Sequence, residues 1–269
     1  MDIKNTKASR KVLAKIPYVW KPLDKGYSDQ SLYVNVTTLT TEVRPVDPGV
    51  KELFVGGKGY GLRMLWDAVT PETKWYHPEN EIVISGGPVC GITQYSGTGK
   101  SICVALSPVT DRVVDSNVGG HFGPHLKFAG FDAFELQGIA REEVIIYING
   151  VDHEIEFFAP PCGLHVDSHL LAEELHEMFS DDEKDKINVS VVSAGLAADH
   201  SLIGMLNFSF YDPKRRKIRL KQAGRGGIGT LLRQKNVRAI VAKSPKVSGT
   251  LNNVVDLPAS MARGKRFNK

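Results

Sequence analysis

Three glycine-rich stretches are the residues of this chain best able to do chemistry. They are Gly56-Gly-Lys-Gly-Tyr-Gly, Ser96-Gly-Thr-Gly-Lys-Ser and Gly224-Arg-Gly-Gly-Ile-Gly. Glycine lets backbone N–H groups approach phosphate oxygens, and a helix that follows adds its positive end. Two nucleotide patterns can be tested directly. A P-loop needs a glycine five positions before Gly99, where Gln94 stands, and Ser101-Ile-Cys-Val-Ala-Leu after it reads as a strand rather than a helix. A dinucleotide fingerprint at Gly224 needs an acid about twenty residues on, and the next one is Asp256. Neither pattern is complete. The first cluster has a plain alternative, a tight turn with close helix packing.

Other chemistry is sparse. Cys90, Cys103 and Cys162 form no CxxC, so these residues alone cannot build a four-cysteine zinc or iron–sulfur site. Cys90 and Cys103 read as small buried hydrophobes. His121 and His125 are four apart, but Gly123 and Pro124 interrupt a helix between them, which weakens a metal pair. His165, His169 and His176 read as surface residues of a helix. No serine, histidine and acid lie close enough to suggest a hydrolase.

The elements that position these groups follow from periodicity. Residues 31–38 and 41–45 read as strands, and Leu62, Leu65, Trp66 and Val69 recur at helical spacing after the first glycine cluster. Strands are expected over 81–85, 101–106, 131–139, 144–148, 153–158, 189–193, 217–221 and 237–243. Asn149-Gly150 is a hairpin turn signal. A compact helix follows Gly119-Gly120, another starts at Ser168, a short one spans 230–234, and Asp256 opens a last one. Strands and helices do not alternate regularly, so the class is α+β rather than a doubly wound parallel sheet.

The 269 residues are 42% hydrophobic and 24% charged, as in an ordinary globular chain with a substantial core. The net charge of +4 is diffuse and does not call for nucleic acid. No segment is apolar enough to span a membrane, and residues 1–18 lack a secretory h-region, so a cytoplasmic location is the expectation. Residues 1–30 carry seven lysines and arginines and read as a basic arm, either floppy or wrapped around a partner.

Taken in order, the clusters resemble one family. The stretches are Gly56-Gly-Lys-Gly-Tyr-Gly-Leu, Pro78-Glu-Asn-Glu-Ile-Val-Ile-Ser-Gly-Gly-Pro, Asp115-Ser-Asn-Val-Gly-Gly-His-Phe-Gly-Pro and Ala223-Gly-Arg-Gly-Gly-Ile-Gly. Together they are similar to the N-terminal domain of aldehyde:ferredoxin oxidoreductases, which bind tungsten between two pterin dithiolenes. The resemblance implies a two-sheet, saddle-like metallopterin-binding domain over 31–245, between the arm at 1–30 and a tail at 246–269.

The resemblance also implies cofactor contacts. Lys100 falls where the family usually has an arginine near a pterin phosphate. Asn117 and Gly119 fall on its Asn-x-Gly. Lys221, Gln222 and Gly224 fall on a stretch that is usually Arg-Ala-Ala-Gly, with Arg225 as a neighbouring cation. Lysine keeps the charge but loses bidentate geometry. Extra residues around Tyr211-Asp-Pro-Lys-Arg-Arg-Lys precede that stretch. No catalytic or metal-ligating residue is implied here. In the family, later domains supply the four cluster cysteines, further pterin motifs and proton-handling residues. The implied function is thus a cofactor-binding subunit or fragment of a tungsten (or molybdenum) bis-pterin oxidoreductase acting on aldehydes, carboxylic acids or acyl-CoA thioesters. A larger partner would carry the [4Fe–4S] cluster, with ferredoxin or a similar low-potential carrier as electron partner. The alternative is a non-catalytic scaffold or cofactor-carrying chain that kept the fold.

Overall fold

The computed structural model describes residues 10–93, 95, 97–246 and 250–267. Two mixed sheets dominate it. The seven-stranded sheet runs β1-β9-β8-β13-β10-β11-β12, and the six-stranded sheet runs β3-β2-β7-β4-β5-β6. The first contains β1 (Val12–Pro17), β8 (Val144–Asn149), β9 (Glu154–Phe158), β10 (Val189–Ser193), β11 (Leu206–Asp212), β12 (Lys217–Ala223) and β13 (Val237–Lys243). The second contains β2 (Gln30–Asn35), β3 (Thr40–Pro45), β4 (Ile82–Ser85), β5 (Ser101–Leu106), β6 (Val113–Val118) and β7 (Ala133–Gln137). The expected two-sheet, saddle-like α+β architecture is what forms.

Alternation along the strands explains the layers. Ile146 and Ile148 of β8 join Phe157, Ile240, Leu32, Ile84, Phe134 and Leu136 in a core shared by both sheets. Their neighbours Ile145 and Tyr147 point to the opposite face, where helix Ser168–Phe179 covers them with Leu171, Leu175, Met178 and Phe179. A strand buried on both faces is a near-continuous hydrophobic run, and β8 is one from Val144 to Ile148. That helix is capped by Asp167, whose carboxylate accepts from His169 and Leu170 N–H, one residue before the expected cap Ser168.

The outer face of the six-stranded sheet carries two short helices, α1 (Pro48–Phe54) and α2 (Lys58–Ala68). Gly61 of α2 sits so close to β5 that a Cβ there would lie 2.5 Å from Val104 Cγ2. The first glycine cluster therefore serves helix packing. The remaining helices are α3 (Phe122–Phe128), α4 (Ser168–Phe179, already described), α5 (Ile228–Gln234) and α6 (Leu257–Phe267). Asp256 caps α6 as expected, accepting from Ala259 N–H.

Several expectations change. Residues 1–9 lie outside the described residues, but 12–17 of the expected arm form an edge strand against β9, held by Lys15–Glu154 and Arg10–Glu156 ion pairs. The extra residues after Tyr211 are the tip of a β11–β12 hairpin, where Asp212 accepts from Lys214 and Arg215 N–H. His176 is not a surface residue. It is fully buried, with Nε2 2.8 Å from Ser209 Oγ and Nδ1 3.2 Å from the Lys186 carbonyl. Both ring nitrogens find partners from the sheet and the loop beside it, so a neutral imidazole can be buried there.

Burial pushes the His176 imidazole down to about 3. An unfolded histidine titrates near 6.5, so the folded chain keeps this stability above that pH and loses it as pH falls towards 3. At pH 5 the loss from one such residue is about 2 kcal/mol. Urea denaturation of His176→Gln is expected to give a shallower fall in stability between pH 7 and pH 5 than the unaltered chain. Equal slopes would contradict this account.

Candidate functional site

The end strands of the two sheets, β6 and β12, approach one another along one side of the molecule. Two contacts to the turn after β12 hold them there. Arg225 N–H donates to Ser116 Oγ at 3.2 Å, and Ser107 Oγ donates to the Gly226 carbonyl at 2.8 Å. Further along the seam, a Cβ on Gly119 would touch Lys221 Cγ at 3.4 Å. Strand pairing also sets Asn117 opposite Ile102 of β5, just beyond Lys100.

Every residue expected to contact cofactor falls on this seam. Lys100, Gly119 and Lys221 line one cleft of about 470 Å³. Asn117, Gln222, Gly224 and Arg225 do not line it and continue along the exposed edges of β6 and β12. Among the described residues, Lys100, Lys221 and Arg225 have no carboxylate within ion-pair distance. Unpaired cations brought together in this way favour an anion. By contrast, Lys58 of the first glycine cluster is paired with Asp115 at 2.7 Å.

Sequence reasoning missed the rest of the cleft. Its apolar side is made by Pro124, Phe128, Ile187 and Phe210, and its far rim by Gly97 and Thr98. Phe210 lies on β11, whose alternation Leu206, Phe208, Phe210 was a usable signal. His121 caps α3 and His125 follows within it; their rings meet edge to face at 6.0 Å. Pro124 sits in the first turn, so the helix is continuous from Phe122. Burial lowers both imidazoles, so they stay neutral, and His125 Nδ1 is already engaged with Ser244 Oγ at 2.9 Å. Cys90 and Cys103 are buried, and burial raises both thiols, in keeping with a packing role.

A cleft with an apolar wall, a glycine rim and free lysines suits a flat organic group with an anionic end. Among the described residues, no group of three or more histidine, cysteine or acidic side chains could hold a metal ion.

The family profile described as "Aldehyde ferredoxin oxidoreductase, N-terminal domain" matches residues 31–244. This chain belongs to the aldehyde ferredoxin oxidoreductase family. Among its relatives is the tungsten-containing aldehyde ferredoxin oxidoreductase of Pyrococcus horikoshii, 30% identical over 223 residues, covering 82% of this chain and 34% of that protein. Another is the aliphatic sulfonate oxidoreductase, WOR-like subunit, of Pyrococcus furiosus, 29% identical over 240 residues, covering 86% of this chain and 36% of that one. A solved structure, the active site complex BamBC of benzoyl coenzyme A reductase with 1,5 dienoyl-CoA, superposes with a TM-score of 0.68 at 27% identity. That match covers 83% of this chain and 32% of the other. The chain thus spans about a third of the length of the relatives it matches. No helix of the described residues is long and apolar enough to cross a membrane.

The rim of the cleft depends on two glycines meeting where the paired strands β5 and β6 end. A Cβ on Gly99 would lie 2.3 Å from the Gly120 carbonyl oxygen, and both partners are backbone. Gly99→Ala is expected to cost about 1–3 kcal/mol by overpacking, read as a lower midpoint of chemical denaturation. An unchanged midpoint would show that the cleft is not built on this approach.

Proposed function

We propose that this chain supplies one wall of a tungsten (or molybdenum) bis-pterin site in a two-electron oxidoreductase acting on aldehydes, carboxylic acids or acyl-CoA thioesters. The observation that carries this reading is the seam. Two unpaired lysines and a glycine rim share one cleft where the two sheets meet, with unpaired Arg225 further along the same edge, in the domain that gives the family its profile match. The activities for which its relatives are named supply the metal and the reaction class.

Each residue has a distinct task in this proposal. Lys100 and Lys221 pair with pterin phosphate as point charges. Gly119 leaves room for the pterin edge, and its neighbour Asn117 offers an amide that can both donate and accept. Gln222, Gly224 and Arg225 extend the same surface with an amide, an open backbone and a third cation. Pro124, Phe128 and Phe210 keep water from the flat face. The metal and its dithiolenes supply the redox chemistry when bound, and the protein binds and orients them.

A larger partner chain carries the remaining oxidoreductase fold, the [4Fe–4S] cluster and the groups that move protons. Ferredoxin or another low-potential carrier exchanges the electrons. A second reading is favoured by one observation, the lysines at positions where the family usually has arginine. It is a scaffold or cofactor-carrying chain without turnover of its own.

Native purification followed by elemental analysis separates these outcomes. The proposal expects a family-like larger chain to co-purify, with near-stoichiometric tungsten or molybdenum. Gly119→Val should remove the metal while leaving the fold intact, because a Cβ there makes only ordinary contact with a flexible lysine. Neither metal nor a larger partner in the native preparation would overturn the proposal. Metal without substrate turnover in the complete assembly would favour the scaffold.

A further inference from the structure

One titratable residue of the cleft has no task in the function proposed above. His121, between β6 and α3, lines it together with Lys100 and Lys221. It stands at the N-cap position of α3, yet its side chain makes no capping bond. Among the described residues, neither of its ring nitrogens has a hydrogen-bond partner. The sealed, unpartnered polar atoms of the fold include His125 Nε2 but neither nitrogen of His121, and the His121 residue is only partly buried. Its ring edge is therefore open to a ligand. An imidazole held in an apolar wall with accessible, unbonded nitrogens is a donor and acceptor waiting for a polar partner.

Its neighbours place the ring between the two lysines. A Cβ on Gly99 would lie 3.8 Å from His121 Cδ2, and Lys100 is the next residue along. On the other side, Gly119 is two residues ahead of His121, and a Cβ there would touch Lys221 Cγ at 3.4 Å. Phe210 sets the tilt of the ring, with centroids 5.2 Å and planes 47° apart, and His125 meets it edge to face at 6.0 Å. Two flexible ammonium arms thus flank a donor whose direction is fixed by aromatic contacts. They come from the loop ahead of β5, from β12 and from the turn after β6. Three donors from three elements match the three oxygens of a phosphate monoester better than the two of a carboxylate.

The charged and titratable groups around the ring set its proton affinity. They are Lys100, Lys221 and Arg219 of β12, His125 of α3 and His176 of α4. Arg219 lies over the Phe210 ring and is held by Asp212 at 3.3 Å. Asp185, which acts on His125, is paired with Lys243 at 2.8 Å. Burial keeps His125 and His176 neutral. Among the described residues, no carboxylate lies within ion-pair distance of His121, and burial lowers its imidazole. A phosphate dianion brought against the ring acts in the opposite direction and favours the imidazolium.

We propose that His121 is the third donor, with Lys100 and Lys221, of a phosphate-monoester site, and that its imidazole takes up a proton from water as the phosphate binds. This rests on the reading of the cleft as the anion end of the cofactor site, and adds to it a residue and a pH dependence. The free ring is neutral at pH 8 and at pH 7, whereas the bound ring is charged over part of that range. Affinity therefore rises as pH falls between the raised value of the bound ring and the lowered value of the free one, by at most about tenfold per unit. A phosphate monoester takes its own second proton near pH 6, so the interval from pH 8 to pH 7 isolates the histidine.

Nuclear magnetic resonance of the full chain, labelled in its histidine rings, tests this with phenyl phosphate as probe and inorganic phosphate in parallel. The His121 signal is identified by its loss in His121→Gln. At saturation its titration midpoint should move up by about one unit or more, while His125 and His176 do not titrate in this range. Calorimetry in two buffers of different protonation enthalpy should show proton uptake and binding about threefold tighter at pH 7 than at pH 8. His121→Gln should bind more weakly and equally at both pH values, and Lys221→Met more weakly with the pH dependence kept. Tighter binding of phenyl phosphate assigns the site to an aromatic ester lying on Phe210; equal affinity assigns it to free phosphate. An unmoved His121 midpoint at saturation, measured on the unaltered chain, or no binding of either probe at millimolar concentration, would overturn the proposal. Neither probe carries a metal, so such a failure is distinct from a native complex that lacks tungsten and molybdenum.

Discussion

Two sheets sharing a core leave four end strands, and the function of this fold turns on how two of them meet. β6 and β12 are held side by side where Gly120, just after β6, lies so close to β11 that a Cβ there would be 3.3 Å from the Phe208 carbonyl oxygen, and where the Arg225 N–H donates to Ser116 Oγ. Any side chain at Gly99 would wedge the loop ahead of β5 away from the turn after β6. The lysines that follow from this approach, Lys100 and Lys221, are separated by over a hundred residues of sequence yet share one cleft. The apolar core supplies the rigidity behind them. Phe122 and Phe208 meet edge to face directly beneath the seam, so the strands carrying the cations are anchored from inside.

Glycine does different work at different points of the chain. Gly61 lets α2 lie against β5, and Gly227 turns the chain into α5 at positive φ, where a Cβ would strike the Leu202 carbonyl at 2.0 Å. Those are packing roles. Gly119 is different, because a side chain there would meet only a flexible lysine. Its openness serves the cleft rather than the core. A phosphate reading of the glycine clusters taken one by one therefore misleads, since the cluster most like a nucleotide loop feeds a strand and the one most like a dinucleotide loop is a tight turn.

Much of this was legible in the sequence. The Asp115-Ser-Asn-Val-Gly-Gly run and the Gly224 run named the family, and apolar β8 announced a strand buried on two faces. What escaped was long-range. His176 looked exposed because helical spacing alone cannot see Ser209 of β11 arriving to satisfy it. The strand Leu206–Asp212 was hidden by the basic hairpin tip that looked like an insertion.

The account stands or falls on what lies against the seam in the native assembly. The most direct measurement is anomalous diffraction from crystals of the natively purified complex, collected on either side of the tungsten edge, with the molybdenum edge as a second arm. The account predicts one strong metal peak facing the cleft of Lys100, Gly119 and Lys221, with pterin density resting on that rim. A metal peak held elsewhere in the assembly, with the seam of this chain turned to solvent or packed against protein alone, would contradict it.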